Sequence, residues 1–180
     1  ILVTSDTFVA AREYAEIILP CRVRTASYQN SHVAPICLIN NFTKELTAEN
    51  VSFGLAPRLN AAGRMDSAAA ALELLLCEDP EEAEAIVAGL EAQNAARQKA
   101  EQDILQGVLD SVAEDETYGA DRILVVWGRG YHQGVIGIVA SRVVERFGKP
   151  AFIVSVVENG EGKGSGRSIA GVSLYNAIAA

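Results

Sequence analysis

The chain has 180 residues, 49% hydrophobic and 21% charged, with a formal net charge of −8. That length suffices to bury a core in one domain or two small ones, and the composition excludes a disordered chain, which combines low hydrophobicity with dense charge. No apolar run approaches the ~20 residues that cross a bilayer, and the chain opens on Ile1 with no basic-then-apolar leader. The expectation is a cytoplasmic stretch of a longer protein, with no membrane partner.

The charge is uneven. Residues 1–64 carry a net +1, residues 65–120 a net −12 and residues 121–180 a net +3. Binding responds to the field within a Debye length of about 10 Å, so the mildly basic flanks matter more for a polyanionic partner than the overall sum. Cys21, Cys37 and Cys77 are an odd number with no Cys-x-x-Cys pair, as expected of reduced thiols. A zinc site combining them with His32 has no ligand-spacing signature.

Along the chain, residues 1–4 fit a strand and Asp6 the cap of a helix ending near Pro20. Thr47, Ala48, Glu49 and Asn50 suit a helix start. Asp66 and Ser67 are cap residues ahead of an Ala- and Leu-rich helix over residues 68–76. Asp79, Pro80 and Glu82 mark a restart, with Asp79 as N-cap and Glu82 completing a capping box. Ile86, Val87, Leu90, Ile104, Leu105, Val108, Leu109 and Val112 then recur at three- and four-residue steps, predicting one long helix over residues 80–112. Its middle, residues 93–102, is polar nearly all round, as in a helix that crosses solvent between two bodies. Residues 123–127 are a short, β-branched apolar run and so a buried strand. A loop follows, then a helix over residues 135–147 stopped by Gly148 and Pro150, and a second strand over residues 151–157. Such a crossover makes the two strands parallel. Asn159-Gly160 turns the chain into a third strand over residues 163–169, and Ser173 caps a final helix. The fold class is therefore α/β: a helical N-terminal part, a long connector helix, and a C-terminal parallel or mixed sheet with its crossover helix.

Three segments have the composition of a binding site. Arg58-Leu59-Asn60-Ala61-Ala62-Gly63-Arg64 sets two arginines and an amide among small residues, which let a phosphate approach; the alternative is a helix end capped by Gly63. Gly162-Lys163-Gly164-Ser165-Gly166-Arg167-Ser168 alternates glycine with donors, which suits a phosphate cradle; the alternative is a flexible turn, and the spacing excludes a nucleotide P-loop. Tyr131-His132-Gln133-Gly134-Val135-Ile136-Gly137 leads from a strand end to a helix start, where α/β sheets bind anions; the alternative is a loop histidine of no role. There is no G-x-S-x-G, no H-E-x-x-H and no G-x-G-x-x-G after a strand.

Taken in order, "LAPRLNAAGRMD", "GYHQGVIGIVASRVVERFGKPAFIV" and "KGSGRSIAGVSLYNAI" resemble the RecJ family of the DHH phosphoesterase superfamily, over roughly residues 45–180. The resemblance implies a 5′-to-3′ single-stranded-DNA exonuclease of DNA repair and recombination that hydrolyses with Mn or Mg. It assigns residues 1–78 to the end of the catalytic DHH domain, 79–116 to the connector helix and 117–180 to the DHH-associated domain. Arg64, with Arg58 and Asn60 in support, then reaches a phosphate. Gly164, Ser165, Gly166, Arg167 and Ser168 bind the strand's backbone, and His132 lines the same cleft. Single-stranded DNA is the implied partner, with a single-strand-binding protein or helicase by analogy. The chain has no Asp-His-His, and Asp6 is the only aspartate before Asp66, so no catalytic residue or metal ligand is placed. Relatives acting on oligoribonucleotides or cyclic nucleotides, and binding modules appended to alanyl-tRNA synthetase-like proteins, share only part of this set.

Overall fold

Apolar side chains three and four positions apart build the first part of the structure. A computed structural model describes residues 49–77, 79–115 and 117–179. The readings for residues 1–48, including Cys21, His32 and Cys37, lie outside them. The chain divides into two compact units, with the boundary between Ala95 and Ala96.

The described part of the first unit is helical. A π-helical turn, Asn50–Leu55, leads into α1, Ala56–Met65, whose first turn holds Pro57. Helix α2 is Ala69–Leu76, and α3 begins at Pro80. Leu55, Ala62, Ala71, Leu74, Cys77, Ala83, Val87 and Leu90 form the core. The Leu-Asn-Ala-Ala-Gly-Arg segment is thus helix interior: Gly63 does not cap it, and α1 ends at Asp66, whose N–H reaches the Ala62 carbonyl at 2.9 Å. Helix α2 starts one residue later than predicted, at a cap position held by Ala68, and Ser67 Oγ accepts the Ala69 N–H at 3.2 Å. Asp79 caps α3, accepting the N–H groups of Glu81 at 2.8 Å and Glu82 at 3.4 Å. The Cys77 thiol packs into the same turn, donating to the Asp79 carbonyl at 3.2 Å and lying 3.7 Å from the Glu82 carboxylate.

Helix α3 runs unbroken over Pro80–Glu114. Its polar middle differs from expectation. Asn94 and Glu101 are each only 5% exposed. The Glu101 carboxylate accepts Arg97, one turn earlier, at 2.6 Å and also pairs with Arg142. Two cations offset its lost hydration, so it is buried where a lone carboxylate would not be.

The second unit carries the sheet. A short helix, α4 (Thr117–Ala120), which the sequence pattern did not announce, precedes β1 (Leu124–Arg129). Thr117 donates both its N–H and its hydroxyl to Asp115, which holds that carboxyl below its ordinary value. Then come α5 (Ile136–Phe147), β2 (Ala151–Val156), β3 (Gly162–Arg167) and α6 (Leu174–Ala179). The sheet order is β1-β2-β3, with β1 parallel to β2 and β3 antiparallel to it. The crossover reading therefore holds, and Gly148 ends α5 in the left-handed conformation at φ 63°. Ser173 Oγ accepts the Asn176 N–H at 3.3 Å at the start of α6.

Helix α5 buries Ile136, Val139, Ala140 and Val143, the i, i+3, i+4, i+7 face, against β2 and β3. At roughly 1.5–3 kcal/mol per large buried side chain, this face anchors the unit. Register then assigns the sheet faces. Leu124 and Val126 of β1 and Ala151, Ile153 and Ser155 of β2 are buried. Ala151 and Ile153 pair with Arg167 and Ser165, so these two β3 side chains share the face covered by α5. Gly162, Gly164 and Gly166 pair with Val156, Val154 and Phe152 on the other face. A Cβ at Gly166 would lie 2.5 Å from the Phe152 ring, and one at Gly164 3.3 Å from Val154. The Phe152 ring thus covers Gly166, whereas Gly162 and Gly164 are exposed.

Gly166→Ala should cost about 1–3 kcal/mol through overpacking, and Phe152→Leu in the same chain should recover part of it. Urea midpoints measure both; a double variant no more stable than Gly166→Ala would show that Phe152 is not the obstacle.

Candidate nucleic-acid interface

Packing β3 against the first turn of α5 puts two hydrogen-bond donors in one place. Arg167 is half-buried, and its Nη1 donates to the Gly166 carbonyl at 2.8 Å and to Ser165 Oγ at 3.2 Å. These bonds orient the guanidinium along its own strand. Ser165 and Arg167 both approach Gly137, at the start of α5: a Cβ there would lie 3.0 Å from Ser165 Oγ and 3.1 Å from Arg167 Nη2. The N-terminal end of a helix carries a partial positive charge, here with the N–H groups of Ile136, Ile138 and Val139 bonded to the His132 and Val135 carbonyls. A hydroxyl, a guanidinium and a helix N-terminus thus converge, which is donor chemistry suited to an anion.

His132 sits just upstream of that turn. Its carbonyl accepts the N–H groups of Val135 at 2.9 Å and Ile136 at 3.2 Å, and its Nδ1 accepts the Gly134 N–H at 3.2 Å. With Nδ1 as acceptor, Nε2 is the ring's donor in the neutral form. Tyr131 fixes the loop's base. Its ring lies over Gly128, where a Cβ would meet it at 2.3 Å, and its carbonyl accepts the buried Ser155 hydroxyl at 2.6 Å. Burial raises the Tyr131 phenol above its ordinary value, so it stays neutral. Gly164 and Ser168 are exposed, and the Ser168 hydroxyl donates to the Val172 carbonyl at 2.7 Å, shaping the turn before α6.

The first segment is arranged differently. On α1, Asn60 and Arg64 are four apart and share an exposed face. Arg58 points the other way: its Nε donates to Glu91 at 2.6 Å and its Nη1 to the Gly54 carbonyl at 2.6 Å. The helix therefore does not gather Arg58 with the other two.

A family model described as the DHHA1 domain matches residues 120–180. The single-stranded-DNA-specific exonuclease RecJ of Dickeya dadantii is 36% identical over 160 residues, 87% of this chain and 28% of its own length. The proteins of that name from Bacillus subtilis and Thermus thermophilus are 40% and 42% identical, over 74% and 73% of the chain. Crystal structures of Thermus thermophilus RecJ with Mg2+ and with Mn2+ superpose with TM-scores of 0.67 and 0.69 at 36% identity, covering 81% of this chain and 22% and 21% of theirs. The chain belongs to the RecJ family of the DHH superfamily. It spans 28% of the length of the Dickeya relative and 17% of the Bacillus one.

Within this RecJ chain, the sequence reading missed Glu101 and Arg142, and gave Gly137 no role beyond its place at the end of the third segment. Only Gly137 left a signal: a glycine inside a strongly periodic helix costs about 1 kcal/mol against alanine, so it marks a close approach. The Glu101–Arg142 pair joins residues 41 apart, beyond any local pattern.

Arg58 and Glu91 yield a test of their own. Arg58→Ala and Glu91→Ala should each lower stability, and a double-mutant cycle should give a coupling of roughly 0.5–2 kcal/mol. Urea unfolding of the four proteins checks this; losses that simply add would mean the two side chains do not interact.

Proposed function

We propose that this chain is the part of a RecJ-type nuclease that grips the sugar-phosphate backbone of single-stranded DNA, and that the longer protein removes nucleotides from a 5′ end in the cytoplasm. The observation that carries the reading is the convergence of the Ser165 hydroxyl, the Arg167 guanidinium and the first turn of α5. Donors of this kind bind phosphate by shape and charge, which positions a strand without reading its bases. Gly164, Gly166 and Ser168 complete the segment, His132 contributes a ring donor from the loop before α5, and Arg64 with Asn60 offers a further phosphate contact on α1. The Arg58 ion pair supports α1 from behind.

In this reading residues 1–78 close the catalytic domain, 79–116 connect, and 117–180 belong to the DHH-associated domain. A helicase or single-strand-binding protein would supply the unpaired strand. The solved relatives contain Mg2+ or Mn2+, and we assign the same divalent ions to the longer protein. Among the described residues no group of three His, Cys, Asp or Glu side chains is placed to hold such an ion, so these residues do not fit the metal centre. What they do is bind and orient the strand. The sequence contains no Asp-His-His, so the chain by itself is expected to hydrolyse no DNA with added Mn, and metal-dependent release of nucleotides would contradict this.

The test is a salt titration of labelled oligothymidylate against the wild-type chain and Arg167→Ala. A hydrogen bond to a charged group is worth roughly 1.5–3 kcal/mol, so affinity should fall about 10- to 150-fold. The loss should be equal for strands of different sequence, and the salt slope shallower by about 0.7. Equal affinities and slopes for the two proteins would remove the reading. Tighter binding of an oligoribonucleotide than of the matching DNA would move the substrate to the oligoribonucleotide branch of the superfamily.

A further inference from the structure

Gly137 lies at the second position of α5, a helix whose other early residues, Ile136, Ile138 and Val139, are branched and apolar. Nothing in its backbone demands glycine, since it is not among the residues at positive φ. What distinguishes it is its neighbours. Any side chain at this position would begin 3.0 Å from Ser165 Oγ, 3.1 Å from Arg167 Nη2 and 3.8 Å from Arg167 Cζ. These are the ends of flexible side chains rather than backbone, so a methyl group there would displace the donors and leave the fold standing.

The electrostatics sharpen the point. A guanidinium beside a helix N-terminus meets the positive end of the helix dipole, the reverse of the stabilising arrangement. Internal bonds to Ser165 and Gly166 hold Arg167 there, and an anion between the two positive centres would relieve the repulsion.

We infer that Gly137 is a positioning residue: the missing side chain lets Arg167 and Ser165 close on the first turn of α5, so that one phosphate meets all three at once. The inference rests on the phosphate-binding reading above and adds a residue that touches no strand itself. It also explains a helix that retains a poor helix former. Gly137 is not at positive φ, so alanine there restricts the unfolded chain without straining the fold, and Gly137→Ala should melt at or above the wild-type temperature while binding less well.

The experiment is a double-mutant cycle on the full chain with Gly137→Ala, Arg167→Ala and the pair, using labelled oligothymidylate at low salt and thermal melts of all four proteins. Gly137→Ala is expected to weaken binding about tenfold, with a shallower salt slope and no loss of melting temperature. It should have no further effect once Arg167 is gone, because it acts through that side chain. Wild-type affinity in Gly137→Ala, alongside a clear loss in Arg167→Ala, would overturn the inference and leave the phosphate reading intact. A lowered melting temperature, or an equal loss in the Arg167→Ala background, would also overturn it by showing that the glycine serves the fold or another contact. Silence of Arg167→Ala itself would remove the phosphate reading, and the inference with it.

Discussion

The contact on which the second unit turns is the approach of β3 to the first turn of α5. It has two prerequisites. The parallel pairing of β1 with β2 requires a crossover, and α5 supplies it with the buried face Ile136, Val139, Ala140 and Val143. The hairpin after β2 then sets β3 antiparallel, in a register that brings Ser165 opposite Ile153 and Arg167 opposite Ala151. A slip of one residue would turn Arg167 and Ser165 to the opposite face and drive the glycines under the helix. Register, rather than any property of the loop, thus determines whether the donors reach the helix end. The alternating glycines serve it, because they leave room for Phe152 and Val154 on the far face.

Charge is handled by separation. The acidic stretch lies largely on the helices, whereas residues 121–180, which hold the convergent donors, carry a net +3. The buried carboxylate of the second unit is neutralised: Glu101 pairs with Arg97 and Arg142. A chain of net charge −8 is therefore no obstacle to a phosphate ligand, because the field that the ligand meets is local.

Much of this was legible in the sequence, for identifiable reasons. The β1–α5–β2 crossover follows from two short branched runs around a helix-period segment, and Gly148 and Asp79 occupy end positions that local chemistry dictates. Arg167 and Ser165 were found because charge and hydroxyl stand out in a glycine-rich strand. Other features depend on partners distant in sequence. Gly166 looked like open backbone because Phe152 becomes its neighbour only through register. Arg58 looked available because Glu91, which pairs with it, lies 33 residues away. The polar middle of α3 looked solvated because the cation that helps bury Glu101 comes from α5.

The central claim is that a backbone phosphate sits between Arg167, Ser165 and the first turn of α5. A crystal structure of the chain with a short single-stranded oligonucleotide tests it most directly. The expected result is phosphate oxygens about 2.7–2.9 Å from the Arg167 guanidinium, with Ser165 Oγ also in hydrogen-bond reach and the phosphate facing the first turn of α5. A strand bound elsewhere, with Arg167 still bonded only to Ser165 and Gly166, would contradict it.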